Sequence, residues 1–418
     1  MRGTLKAMRK PPSRSARSGR CLAALCVAAL AVPRALPAQQ LVTREQAVAA
    51  ALAHGPRVAL AAPDTEASRA ELIGAREFGN PVLGASYSED TPRYHATVEL
   101  PLDFLWLRGA RVDAAREANA SAVLRFRFER ASARFDAEEA YAEALASAAQ
   151  ALLSQHTARD ADSLRRMAAL RRDAGDASDL DVELATIYAG QLVNDAASDS
   201  AAAVAALLEV QRVMGLPSDQ PQIALADSLA LPSGDTAAPA GPTLQVASAE
   251  AAARSADAAL SLARRGIFSA PSLTFGFDAY DPTPNGERGL LPAFGVALTF
   301  PLLNFNGGAI AAASAERARA RAELVVARRE SDASVARARR DLGVAVARAR
   351  RDRQLVAAAD RVARMSLTAY AEGAVALPSV LEAQRQAREA LGRLIDDLAA
   401  ANVADSAVRL FTATETSP

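Results

Sequence analysis

Cysteine is nearly missing from this chain of 418 residues: there are two, Cys21 and Cys26, both within the first 38 residues. The remainder has no thiol for a disulfide scaffold, a nucleophile or a cysteine metal site. Histidine is almost as scarce. His54, His95 and His156 lie far apart with no metal-ligand spacing, so each is expected as a surface or packing residue. No catalytic centre, metal or cofactor is expected. Past residue 38 no apolar run approaches the ~20 residues that a membrane-spanning helix needs; Ala201 to Leu208 is the longest worth naming. If such a chain crosses a bilayer, it does so with strands.

Acidic residues are absent from the first 38 positions, which carry Arg2, Lys6, Arg9, Lys10, Arg14, Arg17, Arg20 and Arg34. An apolar run from Cys21 to Val32 and an Ala35-Leu-Pro-Ala38 cleavage pattern complete a secretory signal peptide. Removing it takes 8 of the 48 basic residues and leaves 40 against 48 acidic ones, a formal charge of −8. That sign argues against nucleic acid as a partner.

Proline is missing from two long tracts, between Pro101 and Pro217 and between Pro301 and Pro378. Both are rich in alanine, arginine and glutamate and read as rods, Ala110 to Arg172 and Ala309 to Glu372, each roughly 95 Å long at ~1.5 Å per residue. In the first, Leu124, Ala131, Leu145 and Leu152 keep a seven-residue beat with Phe128, Phe135, Ala142 and Ala149, interrupted by Glu138. In the return helix after the second, Val380, Ala387, Leu394 and Ala401 keep the same beat. Gly175 and Gly373 end the rods and allow the left-handed turn into antiparallel helices, from Ser178 to Met214 in the first case.

Each rod follows a strand with apolar residues at a period of two. Ala96, Val98, Leu100 and Leu102 precede the first, and Phe294, Val296, Leu298, Phe300 and Leu302 precede the second. Their partners are Val82 to Ser88 and the run Leu273, Phe275, Phe277, the latter pair separated by a polar loop at 281–288. Trp106, at the end of the second strand, reads as a membrane-interface aromatic. Ahead of the strands, Thr43-Arg-Glu-Gln46 opens a helix to His54, and a second runs from Arg57 to Phe78 with Pro63 in its first turns.

Pro101 and Pro301 are 200 residues apart and Gly175 and Gly373 are 198 apart, in the same order, which indicates an internal duplication. The division is then 1–38 signal, 39–217 first repeat, 218–242 irregular linker, 243–411 second repeat and 412–418 flexible tail. Four amphipathic strands make half of the smallest membrane barrel, yet a bilayer tolerates no open sheet edge. Copies must meet to close the sheet, two giving eight strands and three giving twelve, and the attached rods would continue it as a helical tube.

These features together resemble the TolC-like family of outer membrane efflux proteins, over essentially the whole mature sequence. The resemblance is carried by the Thr43 to Pro56 opening, by Phe300-Pro-Leu-Leu-Asn-Phe-Asn-Gly-Gly308 with its weaker twin at Leu100, and by the two glycine-led tips. The Asn-Phe-Asn-Gly-Gly form is more similar to the heavy-metal branch. The resemblance implies a mainly α fold with a small β part: a homotrimer with a 12-stranded β-barrel among outer membrane lipids and a long periplasmic α-barrel of antiparallel coiled coils. It implies a passive conduit for small molecules or metal ions, docked to a periplasmic adaptor and an inner membrane pump. By alignment from Gly373, the family's acidic gate rings fall on Ser379 and Glu382, and the first-half counterpart of Ser379 is Asp181. Glu382 and Asp181 are therefore expected to face the closed pore, and Gly175, Gly373 and Leu377, with Arg171 and Arg172 nearby, to meet the adaptor. A type I secretion conduit and a periplasmic coiled-coil scaffold are the alternatives.

Overall fold

The computed structural model describes residues 40–90, 92–233, 241–279 and 289–415. The expected signal at 1–38, the polar loop at 281–288, residues 234–240 of the linker and the end of the tail at 416–418 lie outside the described residues.

A short strand β1 (Gln40–Val42) leads into α1 (Arg44–His54). The expected capping box forms there: the Gln46 N–H donates to Thr43 Oγ1 at 3.3 Å and the Thr43 N–H to Gln46 Oε1 at 3.0 Å. Helix α2 (Pro56–Arg76) starts on Pro56, which needs no helical donor at N1. Pro63 sits two turns further in rather than in the first turns, where it removes one backbone donor from the ladder.

Strands β2 (Val82–Tyr87) and β3 (Tyr94–Pro101) form a hairpin that feeds α3 (Leu107–Asp173), 67 residues and about 100 Å long. The chain returns in α4 (Asp179–Val213). The second half repeats the plan with α5 (Leu244–Arg265), β5 (Ser272–Ala279), β6 (Leu290–Ala297), the 65-residue α6 (Gly307–Ala371) and α7 (Leu377–Thr412).

Strand β6 ends at Ala297, paired with Ser272, so Leu298, Phe300 and Leu302 lie past the sheet and not in its fourth strand as their alternation predicts. Strand β5 begins at Ser272 immediately after Pro271, which leaves no ladder partner for them. The linker is likewise more ordered than its prolines suggest. Ile223–Leu225 forms a strand, β4, parallel to β1, and Ile223 is buried. Tyr141 holds this small sheet to α3 through hydrogen bonds from its hydroxyl to the Val42 carbonyl at 2.8 Å and Asp227 Oδ2 at 2.9 Å.

The four remaining strands form one antiparallel sheet in the order β2-β3-β5-β6. The helices continue that order. On the strand side α3 packs against α2 and α5, and α5 against α6; toward the tips α3 packs against α4 and α7, and α7 against α6. The chain is thus a ribbon four elements wide, α2-α3-α5-α6 below the sheet and α4-α3-α7-α6 at the far end. Alanines make the contacts close: Ala137, Ala140, Ala144 and Tyr141 of α3 are buried together with Val42, Ala51 and Val213.

The buried stripe of α3 departs from the strict heptad. Leu152 is exposed, whereas Ala133, Ala137, Tyr141 and Ala144 are buried, because α3 meets different helices on its two halves. Glu138 is not an interruption. Its side chain is 5% exposed and accepts from Arg134 at 3.1 Å and Arg409 at 2.7 Å, tying α3 to the end of α7.

Candidate channel wall, collar and tips

Register fixes the two faces of the sheet. Val98 pairs with Phe275 and Phe275 with Phe294, Leu100 with Leu273 and Leu273 with Val296, and Ala96 with Phe277 and Phe277 with Pro292. Leu83, Ala85 and Tyr87 join the same face from β2. This face is apolar across all four strands and open: Leu83 is 78% exposed, Phe277 58% and Phe294 76%. The other face carries Ser86, His95, Thr97, Glu99, Thr274 and Asp278. His95 is more than a packing residue there: Nδ1 lies 2.7 Å from Asp278 Oδ1 and Nε2 lies 3.2 Å from Ser88 Oγ. Ser88 Oγ also lies 2.9 Å from the Asp90 carbonyl and 3.0 Å from that of Pro92, so this hydroxyl fastens the β2–β3 turn.

Eight residues of strand span about 26 Å, close to the ~25 Å apolar band of membrane barrels. Aromatics gather at both ends of the face. Tyr87 and Tyr94 meet at the turn end with ring centroids 5.4 Å apart. At the helix end stand Phe78, Phe104, Trp106, Phe268, Phe300 and Phe305, and Trp106 donates its indole N–H to the Phe268 carbonyl at 3.2 Å. Trp106 therefore locks the junction between β3 and α3 to the one between α5 and β5. At the second junction Asn306 adopts φ +57°, a left-handed conformation that asparagine tolerates, and its Nδ2 donates to the Ala263 carbonyl at 2.8 Å. This accounts for the Asn-Phe-Asn-Gly-Gly motif as a hinge from strand to rod.

At the opposite end both tips use the same helix stop. Gly175 (φ +86°) and Gly373 (φ +78°) follow the last helical turns. The N–H of Asp176 reaches the Arg171 carbonyl and that of Ala374 reaches Ala369, the six-to-one bond of a Schellman motif in each half. Arg171 joins the two tips: its guanidinium donates to the Tyr370 carbonyl, lies 4.7 Å from the Tyr370 ring centroid and donates to the Asp176 carbonyl at 3.3 Å. Leu377 is fully buried beside Leu164, Ala168, Tyr370 and Val380. Read from the sequence as docking residues, Leu377 and Arg171 instead hold one hairpin against the other, and Leu377 offers no surface. Arg172 is paired with Asp173 at 2.6 Å.

Of the expected gate residues, Ser379 and Glu382 are exposed on the first turns of α7. Glu382 accepts two bonds from Arg385, at 2.8 and 3.0 Å, and one from Gln386, contacts that hold its carboxyl below the usual range. Arg385 also reaches Glu389, so the local charge of this trio is −1. Sequence reasoning missed Arg385, although its spacing of three from Glu382 was there to be seen. Asp181 completes a capping box, accepting from the Ser178 N–H at 3.1 Å and hydroxyl at 3.0 Å. It lies on the other hairpin from Glu382.

The ribbon's edges are open. Strands β2 and β6 each lack a second partner among the described residues. The edge helices carry exposed large apolar side chains, Leu60 and Ile73 on α2, Leu180 and Ile187 on α4, and Leu355, Val362 and Met365 on α6, whereas α5 and α7 carry none. No described helix is long and apolar enough to cross a membrane.

A four-wide ribbon of strands continued by rods is the fold of the TolC-like outer membrane channels. No family model and no curated relative matches this sequence. Solved structures do: a membrane protein from Pseudomonas aeruginosa superposes with a TM-score of 0.76 at 19% identity, over 88% of this chain and 93% of that one. CusC, solved in conformations that accompany folding and transmembrane channel formation, gives 0.73 at 17% identity over 90% and 93%. The CmeC outer membrane channel of Campylobacter jejuni gives 0.75 at 11% identity over 88% and 85%.

Proposed function

We propose that this chain is the outer membrane channel of a tripartite exporter, a passive conduit for small molecules or metal ions. The observation that carries this reading is the open apolar face of a sheet whose two edge strands each keep one side unpaired among the described residues. In water such a face is an aggregation hazard; in a bilayer it is the lipid side of a barrel wall, provided that the edges close. In the closed form β6 of one copy pairs with β2 of the next, and α6 packs against the neighbour's α2 and α4. This is a head-to-tail contact that generates a ring. Three copies give twelve strands, and the polar face with His95, Thr97 and Glu99 lines the bore.

The tips are the end to which a periplasmic adaptor and, behind it, an inner membrane pump would attach. Gly175 and Gly373 shape that docking end, and the exposed Leu180 beside them gives it apolar surface. Glu382, Ser379 and Asp181 are assigned to the closed mouth, where a ring of Glu382–Arg385 pairs would set ion preference.

Extraction and conductance test the reading. The exported protein should require detergent, have the mass of a trimer in it, and open channels in planar bilayers. A water-soluble monomer without conductance would overturn the proposal. A susceptibility panel of drugs and metal salts on a deletion strain then identifies the cargo.

A further inference from the structure

Below the aromatic collar, on the helix side, α5 and α6 enclose a cleft of about 310 Å³ lined by Asp257, Leu260, Ser261, Arg264, Arg265 and Arg317. Three guanidinium groups face one carboxylate. That carboxylate is already engaged: Asp257 is bound by Arg317 at 2.6 Å and by Arg321 at 3.0 Å. Arg264 and Arg265 are exposed and form no side-chain ion pair among the described residues. The cleft therefore holds uncompensated positive charge.

Its position identifies what would compensate it. Three residues after Arg265 comes Phe268, 55% exposed, and the neighbouring junction exposes Leu302, Leu303 and Phe305 at 81%, 98% and 60% just before α6 begins. This exposed apolar segment lies where the sheet gives way to the helices, past the last ladder pair Ser272–Ala297. Immediately outside it lies the polar layer of a bilayer, about 5–8 Å thick on each side of the hydrocarbon. A guanidinium fork at that level matches a phosphate oxygen pair.

Resting on the membrane-channel reading above, we infer that the Arg264–Arg265–Arg317 cleft binds the headgroup phosphate of an anionic phospholipid in the leaflet nearest the helices. The collar's Phe268 and the exposed Leu303 beside it hold its acyl chains. The plainer account of Arg264 and Arg265 is that two cations in the last turn of α5 complement the helix dipole. That account predicts a change in stability and no lipid preference.

The test is native mass spectrometry of the detergent-solubilised protein titrated with phosphatidylglycerol or phosphatidylcholine, in the presence and absence of millimolar inorganic phosphate. Wild type is expected to retain phosphatidylglycerol about tenfold more tightly than phosphatidylcholine, and the preference should survive phosphate. Arg264→Gln/Arg265→Gln should abolish it. Equal retention of the two lipids by wild type, or an unchanged preference in the double variant, overturns the inference; loss of the preference in phosphate shows a bare anion site and also overturns it. Bilayer conductance of the same preparations separates the two levels, because a conducting protein without lipid preference sinks only the headgroup site. A protein that neither inserts nor conducts sinks the channel reading with it.

Discussion

Glu138 shows how one charged side chain can serve as an anchor in a rod rich in buried alanines. Burial raises its pKa, but the hydrogen bond and charge of Arg409, with hydrogen bonds from Ser406 and Arg134, outweigh that and hold it below the ordinary carboxylate value. A carboxylate with a depressed folded pKa adds stability above its unfolded value, and the contribution is lost as pH falls through the folded value. Glu138→Gln should lower stability at pH 7 by about 2 kcal/mol. The deficit relative to wild type should vanish below the ordinary carboxylate range, as thermal melts across pH would reveal; a constant deficit would mean that the charge is irrelevant. Glu382 tests the mouth in the same terms. Glu382→Ala takes the local trio from −1 to 0 and should raise single-channel conductance while reducing cation preference. Arg385→Ala should strengthen cation preference. If neither changes in bilayers, the α7 pair does not line the mouth.

At the scale of the element, the sheet's two faces make opposite demands. Phe277→Arg places a charge in the middle of the apolar face and should cost about 2–4 kcal/mol of barrel stability. Thr97→Arg, one position along on the polar face, should leave stability nearly unchanged and alter conductance instead. Urea titrations of protein refolded into vesicles distinguish them, and equal penalties would remove the assignment of faces. These faces were legible in the sequence because a period of two survives in Leu273, Phe275 and Phe277, as were the rods from their missing prolines and the tips from Gly175 and Gly373. The end of β6 was not, because Leu298, Phe300 and Leu302 keep the alternation after the ladder has run out, and only the position of Ser272 on the partner strand decides it. Strand β4 was hidden for a related reason: three residues among prolines give no periodic signal, and its partner β1 lies 183 residues away. At the tips, Arg171 and Leu377 could be read from the sequence only as docking residues, since their packing role depends on the opposite hairpin, on Tyr370 for Arg171 and on Leu164 and Ala168 for Leu377.

For the whole molecule the decisive question is what lies beyond β2 and β6. Within one chain these strands are separated by β3 and β5, three spacings of about 4.8 Å, or roughly 14 Å. A disulfide needs Cα atoms within about 7 Å, so cysteines on the two edges cannot join inside a copy. They can join only between copies. Ser86 of β2 and Leu291, Ala293 and Gly295 of β6 all stand on the polar face, at successive levels of the sheet. With Cys21 and Cys26 replaced by alanine, Ser86→Cys combined in turn with Leu291→Cys, Ala293→Cys or Gly295→Cys scans the stagger with which one sheet meets the next. One combination should cross-link efficiently and give covalent dimers and trimers on a non-reducing gel. A ring of three has no place for a fourth copy, so the ladder should stop at the trimer. Products that continue to higher order would indicate an open stack rather than a closed wall. Monomer alone in every combination would mean that the edges meet something other than another copy, and the tube would lose its physical basis.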